Sequence, residues 1–137
     1  MSDFHVYITR RITEAGIKIL EAAPEISQLT ISPHDRVLSQ TELIEAVKGK
    51  DGILCLLTDN IDKQVINAAD KAKVFANYAV GFNNIDVGAA TKMGTLITNT
   101  PGTLTDTTAD MAFALLMAVA RRIPEADRYV RDGRFVG

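Results

Sequence analysis

Short β-rich runs alternate with helix-like segments between residues 4 and 98 of this chain. The run at residues 53–57 is apolar at every position, which is typical of a strand buried on both faces of a parallel sheet. The pattern predicts five strands, at residues 4–9, 29–31, 53–57, 73–78 and 95–98. The short connections between them predict a parallel sheet covered by helices, and therefore a flavodoxin-like, three-layer α/β domain at residues 1–99.

Helix start and stop signals lie between the predicted strands. Thr13 is an expected N-cap, and Ser39 with Glu42 has the spacing of a capping box. Asp62 can cap a third helix, and Gly94 suits the left-handed turn that ends a fourth. These local signals agree with the strand pattern and support the same alternation of strands and helices.

The pattern changes after the fifth strand. A long helix is predicted at residues 107–121, and its middle, residues 111–120, is apolar on all sides. Such a helix must be buried on several sides, so we expect it to pack on something beyond the first domain. Pro124 is expected to open a last helix. Residues 100–137 are therefore expected to lie outside the first domain.

Charge and composition exclude several classes of function. The net charge is -2 and no long basic run occurs, so nucleic-acid binding is not expected. The N-terminus lacks the pattern of a secretory signal, and the longest apolar run is far short of the roughly 20 residues that span a bilayer. A single cysteine fits a reducing cytoplasm. The sequence contains no metal-ligand cluster and no G-x-G-x-x-G loop.

The loops after the third and fourth strands are candidates for ligand binding, because ligands of open parallel sheets lie where the strands end. After the fourth strand, Gly81 could adopt a backbone conformation that turns N–H groups toward a carboxylate, and Asn83 and Asn84 tolerate left-handed geometry. The alternative is an ordinary turn. After the third strand, Leu57 is expected in the core, and Asp59 is expected to be a solvated loop acid or part of local capping.

Other reactive residue types have simpler interpretations. Cys55 lies in mid-strand without a positive partner, so it is expected to be a small buried hydrophobe. The start of the long helix, residues 107–110, could contact a cofactor phosphate or ribose through hydroxyls and free N–H groups, or could simply be a cap. His5 and His34 are expected to be structural or exposed.

Three ordered stretches resemble one known family. They are NYAVGFNNID at residues 77–86, TNTPG at residues 98–102, and TADMAFALL at residues 108–116, followed by Arg121 and Arg122. Together they resemble the D-isomer-specific 2-hydroxyacid dehydrogenases, most closely the glyoxylate/hydroxypyruvate reductase branch. The resemblance covers essentially the whole chain.

The resemblance implies roles for particular residues. The first domain would be the outer, substrate-binding domain, and the later segment would start a Rossmann NAD(P)-binding domain. The backbone amides of Val80 and Gly81 would hold the substrate carboxylate, Leu57 would line the pocket, and Thr108 would contact the nicotinamide cofactor. Family members continue into a glycine-rich loop and a catalytic arginine, glutamate and histidine, which would all lie beyond residue 137. No catalytic residue is therefore expected in this chain, which should be inactive alone.

The function implied is that of a cytoplasmic oxidoreductase, which transfers a hydride between NAD or NADP and a small 2-oxo or 2-hydroxy acid such as glyoxylate or hydroxypyruvate. A stand-alone, non-catalytic module that binds small carboxylates or a partner is the alternative. A phosphoacceptor domain using Asp59 is disfavoured, because Arg10 and Arg11, not an acidic pair, follow the first strand. The apolar helix predicts a homodimer or a helix-exchanged oligomer.

Overall fold

Five parallel strands form one sheet in the first part of the chain. The computed structural model describes residues 3–136. The chain forms two compact units, Met1–Pro101 and Gly102–Gly137. The strands of the first unit are β1 (Phe4–Ile8), β2 (Ile26–Ile31), β3 (Gly52–Leu56), β4 (Val74–Tyr78) and β5 (Leu96–Thr98). Their order in the sheet is β2-β1-β3-β4-β5, and every neighbouring pair is parallel. This order is that of flavodoxin-like folds, as the sequence predicts.

Four helices connect these strands, namely α1 (Glu14–Glu21), α2 (Gln40–Val47), α3 (Lys63–Ala68) and α4 (Val87–Met93). The connection through α1 leads from β1 to β2, toward one edge of the sheet. The other three connections each lead to a strand nearer the opposite edge. Because such crossovers are right-handed, α1 lies on one face of the sheet and the other three helices lie on the opposite face. The main apolar cluster lies between the sheet and helices α2, α3 and α4. It includes Leu43, Ile53, Val65 and Phe75, each at most 1% exposed.

The helix ends confirm most of the capping signals. The Ser39 hydroxyl accepts from the backbone N–H of Glu42, and the Glu42 carboxylate accepts from the backbone N–H of Ser39, which completes the capping box. The Asp62 side chain accepts from two N–H groups of α3, and Gly94 ends α4 with a φ of 70°. Thr13 occupies the N-cap position of α1 but makes no side-chain capping bond.

The second strand begins three residues earlier than predicted. Ile26 already pairs with Phe4, and the register shifts between Phe4 and His5. Ser27 and Gln28 are exposed because β2 is an edge strand. Because these two residues are polar, the start of the strand lacks the continuous apolar run that is typical of buried parallel strands.

The second unit contains two helices, α5 (Thr105–Ala120) and α6 (Ile123–Arg131). Helix α5 begins two residues before its predicted start, which puts Asp106, not Asp110, in its first turn. Arg122 has a φ of 51° and separates the two helices. No helix within residues 3–136 has the length and apolarity needed to cross a membrane.

Removal of the Ser39 hydroxyl tests the capping box. We expect Ser39→Ala to lower the free energy of unfolding by about 1 kcal/mol, because the N–H of Glu42 loses its acceptor. Thr41→Ala is the matched control, since Thr41 lies in the first turn of the same helix and its exposed hydroxyl has no hydrogen-bond partner among residues 3–136. Urea unfolding followed by circular dichroism measures both variants, and equal losses would contradict the capping role.

Candidate functional site

Two loops meet at the carboxyl edge of the sheet, one after β3 and one after β4. The strands pair up to Leu56 and Tyr78, so both loops leave the sheet from adjacent positions. The Asn84 side chain connects them, because its Nδ2 donates to the carbonyl oxygens of Leu56 at 3.2 Å and of Asp59 at 3.1 Å. The loops therefore form one continuous surface at the carboxyl edge of the sheet.

The loop after β3 is built around a buried carboxylate. Asp59 is 3% exposed, and its Oδ2 accepts from the Thr9 hydroxyl at 2.5 Å and from the Leu56 backbone N–H at 2.8 Å. The expectation of a solvated acid is therefore wrong, whereas the local turn bond to Leu56 agrees with the capping alternative. A buried carboxylate with both these donors is also unsuited to accept a phosphoryl group from solution.

Leu57 lies outside the core. Its side chain is 51% exposed, so the expectation from the bare pattern that it is a core residue is wrong. It follows the last residue of β3 directly, at the edge where the two loops meet. An exposed apolar side chain at this position is available to contact a ligand.

The loop after β4 is held by three asparagines. Asn77, which is 2% exposed, donates from Nδ2 to the Gly81 carbonyl at 2.8 Å and to Asn84 Oδ1 at 3.1 Å. Asn99, which follows β5, donates from Nδ2 to the Val80 carbonyl at 2.7 Å. The backbone N–H of Thr100 donates to the Ala79 carbonyl at 2.9 Å. Three consecutive carbonyls of this loop are therefore hydrogen-bonded to the protein.

The N–H groups of the same loop are differently placed. Within residues 3–136, the backbone N–H groups of Val80, Gly81 and Phe82 donate to no protein acceptor. All three residues are exposed. Backbone N–H groups of consecutive residues that have no protein acceptor are donors of the kind that bind small anions in proteins.

The backbone of Gly81 does not use the dihedral freedom of glycine. Positive φ values occur at four other glycines and at Arg122, so Gly81, Asn83 and Asn84 do not use the left-handed geometry that the sequence suggested. A Cβ at position 81 would lie 3.2 Å from Asn83 Oδ1, which is a tight contact. The absence of a side chain leaves the N–H groups of the loop open to a ligand.

The remaining reactive side chains do not join this site. Cys55 is fully buried, and burial, with the Asp59 carboxylate nearby, raises the pKa of its thiol to about 12. The thiol is therefore protonated at neutral pH and is not a nucleophile. His5 lies in β1, and His34 follows β2, which β1 and β3 separate from β4. Among residues 3–136, no group of three His, Cys, Asp or Glu residues could hold a metal ion.

Thr108 lies in the second unit, one turn inside α5. Its backbone N–H donates to the Leu104 carbonyl at 2.9 Å, so the expectation of a free N–H at this residue is wrong. The helix starts earlier than predicted, which moves Thr108 out of the first turn. Its side chain is exposed, and the hydroxyl remains available for a contact.

The 2-1-3-4-5 parallel sheet with its connecting helices makes the first unit a flavodoxin-like α/β domain. The family model for the D-isomer specific 2-hydroxyacid dehydrogenase catalytic domain matches residues 6–127. The chain belongs to this family, which confirms the resemblance.

Individual relatives agree with the family. The chain is 52% identical over 130 residues to a glyoxylate reductase from Korarchaeum cryptofilum and 51% identical to one from Thermococcus litoralis. Each match covers 95% of this chain and 38% of the relative, so the chain spans about two fifths of the length of these curated relatives.

Solved structures share the fold. The TT0316 protein from Thermus thermophilus superposes with a TM-score of 0.83 at 36% identity, over 97% of this chain and 42% of that one. D-lactate dehydrogenase from Aquifex aeolicus, complexed with NAD and lactic acid, has a TM-score of 0.77 at 21% identity, over 97% of this chain and 39% of that one. The second likeness concerns the fold alone.

Thr9→Val tests the buried bond to Asp59. The substitution keeps the shape of the side chain but leaves the Asp59 carboxylate without its hydroxyl donor, so we expect the free energy of unfolding to fall by about 2 kcal/mol. Thr30→Val is the control, because Thr30 lies on the neighbouring strand β2 and its hydroxyl has no partner among the described residues. A loss at Thr9 no larger than at Thr30, in urea unfolding, would contradict the assignment.

Proposed function

We propose that this chain forms the substrate-binding part of an oxidoreductase that transfers a hydride between NAD(P)H and a small 2-oxo or 2-hydroxy acid of the glyoxylate or hydroxypyruvate type. The substrate carboxylate binds the backbone N–H groups of Val80 and Gly81, and Leu57 forms a wall of the pocket. The observation that supports this most directly is the set of exposed N–H groups after β4 without a protein acceptor among the described residues. The identity to glyoxylate reductases favours the choice of substrate class.

The division of labour between the two parts of the chain belongs to the same proposal. Residues 1–99 serve as the substrate-binding domain, and residues 100–137 provide the interdomain helix and the start of the cofactor-binding domain. The chain forms two compact units whose boundary in the sequence falls between Pro101 and Gly102, which supports this division.

The fit of this chain to the cofactor is limited to one contact. When bound, the nicotinamide donates or accepts the hydride. The exposed hydroxyl of Thr108 suits a hydrogen bond to the cofactor, whereas the sequence has no glycine-rich loop to receive the pyrophosphate. The chain therefore supplies recognition of the substrate carboxylate, and we expect it to show no turnover of glyoxylate with NADH or NADPH by itself.

A titration of the ¹⁵N-labelled chain with sodium glyoxylate tests the carboxylate site. We expect saturable shifts of the amide resonances of Val80, Gly81 and Phe82, because their N–H groups are solvated in the free chain. The amides of Gly49 and Gly94, which lie in other turns, should not respond. Uniform shifts, or none at these three amides, would contradict the proposal.

The substitution Gly81→Val is expected to abolish glyoxylate binding at this loop. A branched side chain at position 81 crowds Asn83 and covers the N–H groups, so the glyoxylate shifts should disappear while the spectrum stays dispersed. Gly88→Ala is the control, since a Cβ at position 88 makes only an ordinary contact with Asp86 in another part of the unit. Unchanged binding by Gly81→Val would argue against a site on this loop.

We also propose that α5 mediates association between copies of the chain. Five of its apolar side chains are more than half exposed, namely Met111, Phe113, Leu115, Leu116 and Val119. A contiguous apolar surface on a helix favours an isologous contact or an exchange of the helix between two chains.

Sedimentation velocity tests this association. We expect the unaltered chain to form dimers or larger species, and Leu116→Lys to shift it toward the monomer. Ile19→Lys is the control, because Ile19 is an equally apolar side chain on α1 that is 71% exposed. A chain that is monomeric without substitution, or equal dissociation by both variants, would contradict a contact through α5.

A further inference from the structure

Peptide geometry links the carbonyl contacts of the loop after β4 to the direction of its N–H groups. No peptide in the described chain is cis. In a planar trans peptide, the carbonyl of one residue and the N–H of the next point in opposite directions. A hydrogen bond that fixes the carbonyl therefore also fixes the direction of the following N–H, even though nothing touches that N–H.

The contacts of the loop apply this constraint to three peptides in succession. The bond from the Thr100 N–H to the Ala79 carbonyl fixes the direction of the Val80 N–H. The bond from Asn99 Nδ2 to the Val80 carbonyl, at 2.7 Å, sets the N–H of Gly81. The bond from Asn77 Nδ2 to the Gly81 carbonyl, at 2.8 Å, sets the N–H of Phe82 by the same geometry.

We propose that Asn99 is a positioning residue for carboxylate binding, which acts by holding the Val80 carbonyl so that the Gly81 N–H is directed away from the protein. The inference rests on the proposed function, because it concerns the same carboxylate site. Asn99 need not touch the ligand for this role. Without its amide, the peptide between Val80 and Gly81 can rotate in an exposed loop, and ordering that peptide becomes part of the cost of binding.

Asn99 suits this task better than a charged side chain would. Its amide donates to the Val80 carbonyl without placing a carboxylate near an anion site or an exposed ammonium that would bind anions by itself. The β4–β5 pairing brings residue 99 beside the loop, since Ala76 pairs with Thr98. The position of Asn99 therefore depends on the sheet and not on the loop that it anchors.

Two asparagines of the chain provide a matched comparison. Asn99→Ala removes the anchor of the Val80 carbonyl. Asn83→Ala makes the same chemical change in the loop itself, at an exposed side chain that has no hydrogen-bond partner among residues 3–136. We expect Asn99→Ala to weaken glyoxylate binding about tenfold, as for the loss of one good hydrogen bond to the site, and Asn83→Ala to change it less than about twofold.

A pH profile separates an anchoring bond from a general structural effect. Asn99→Asp keeps the shape of the side chain, but the new carboxylate repels the Val80 carbonyl at neutral pH and can donate to it only when protonated. The ¹³C′ resonance of Val80 in Asn99→Asp should therefore titrate with a midpoint above the ordinary aspartate pKa of about 4, because the bond to the carbonyl favours the protonated form. The same resonance in Asn99→Ala should differ from the unaltered chain and stay constant over that range.

The outcomes distinguish this inference from the function on which it rests. Tenfold weaker binding with a changed Val80 ¹³C′ shift supports the inference. Unaltered glyoxylate affinity in Asn99→Ala overturns it and leaves the carboxylate site intact. If the unaltered chain binds no glyoxylate, the proposed function fails, and so does the role of Asn99 in binding. Unchanged Val80 and Gly81 resonances in Asn99→Ala would overturn the anchoring bond itself.

Discussion

The planarity of the peptide bond is the constraint on which the candidate site depends. The N–H groups of Val80, Gly81 and Phe82 take their directions from carbonyls that other residues of the sheet edge hold. The donors for these carbonyls come from β4 itself and from the segment after β5. The pairing of β4 with β5 thus affects the direction of the Gly81 N–H through the side chain of Asn99. The loop after β4 is in this way held in place by hydrogen bonds to its carbonyls.

The carboxyl edge of the sheet is joined by side-chain amides, one carboxylate and a backbone bridge between the buried residues Ile61 and Ile85. Asp59 connects the ends of β1 and β3, and Asn84 extends the connection to the loop after β4. A buried carboxylate is tolerated only when hydrogen bonds replace its water, and here a hydroxyl and a backbone N–H do so. The same bonds leave the side chain of Leu57 outside the core, because the turn that Asp59 closes begins at Leu56.

The sequence predicted those parts of the structure whose signals are local. The five strands, the capping box at Ser39 and the turn at Gly94 each depend on residues within a few positions of one another. The predicted start of β2 was wrong because an edge strand carries exposed polar residues. The anchoring side chains could not be predicted, because their partners are distant in the sequence. Asn99 contacts a carbonyl 19 residues away, and Thr9 contacts a carboxylate 50 residues away. The expectation that Gly81 uses the dihedral freedom of glycine was wrong, since its φ is not positive. The roles of Val80, Gly81, Leu57 and Thr108 remain predictions from the family.

The chemical character of the loop after β4 also limits what this part of an enzyme can contribute. Its ligand groups are neutral backbone dipoles, which recognise a carboxylate but neither change protonation nor supply a proton. Reduction of a 2-oxo acid forms an alkoxide that needs a proton donor, and a polarising cation lowers the barrier. The arginines of the first unit, Arg10, Arg11 and Arg36, follow β1 or β2, and β3 separates both of these strands from β4. Under the proposed function, recognition of the substrate and activation of its carbonyl are therefore separable tasks, and the loop after β4 serves the first.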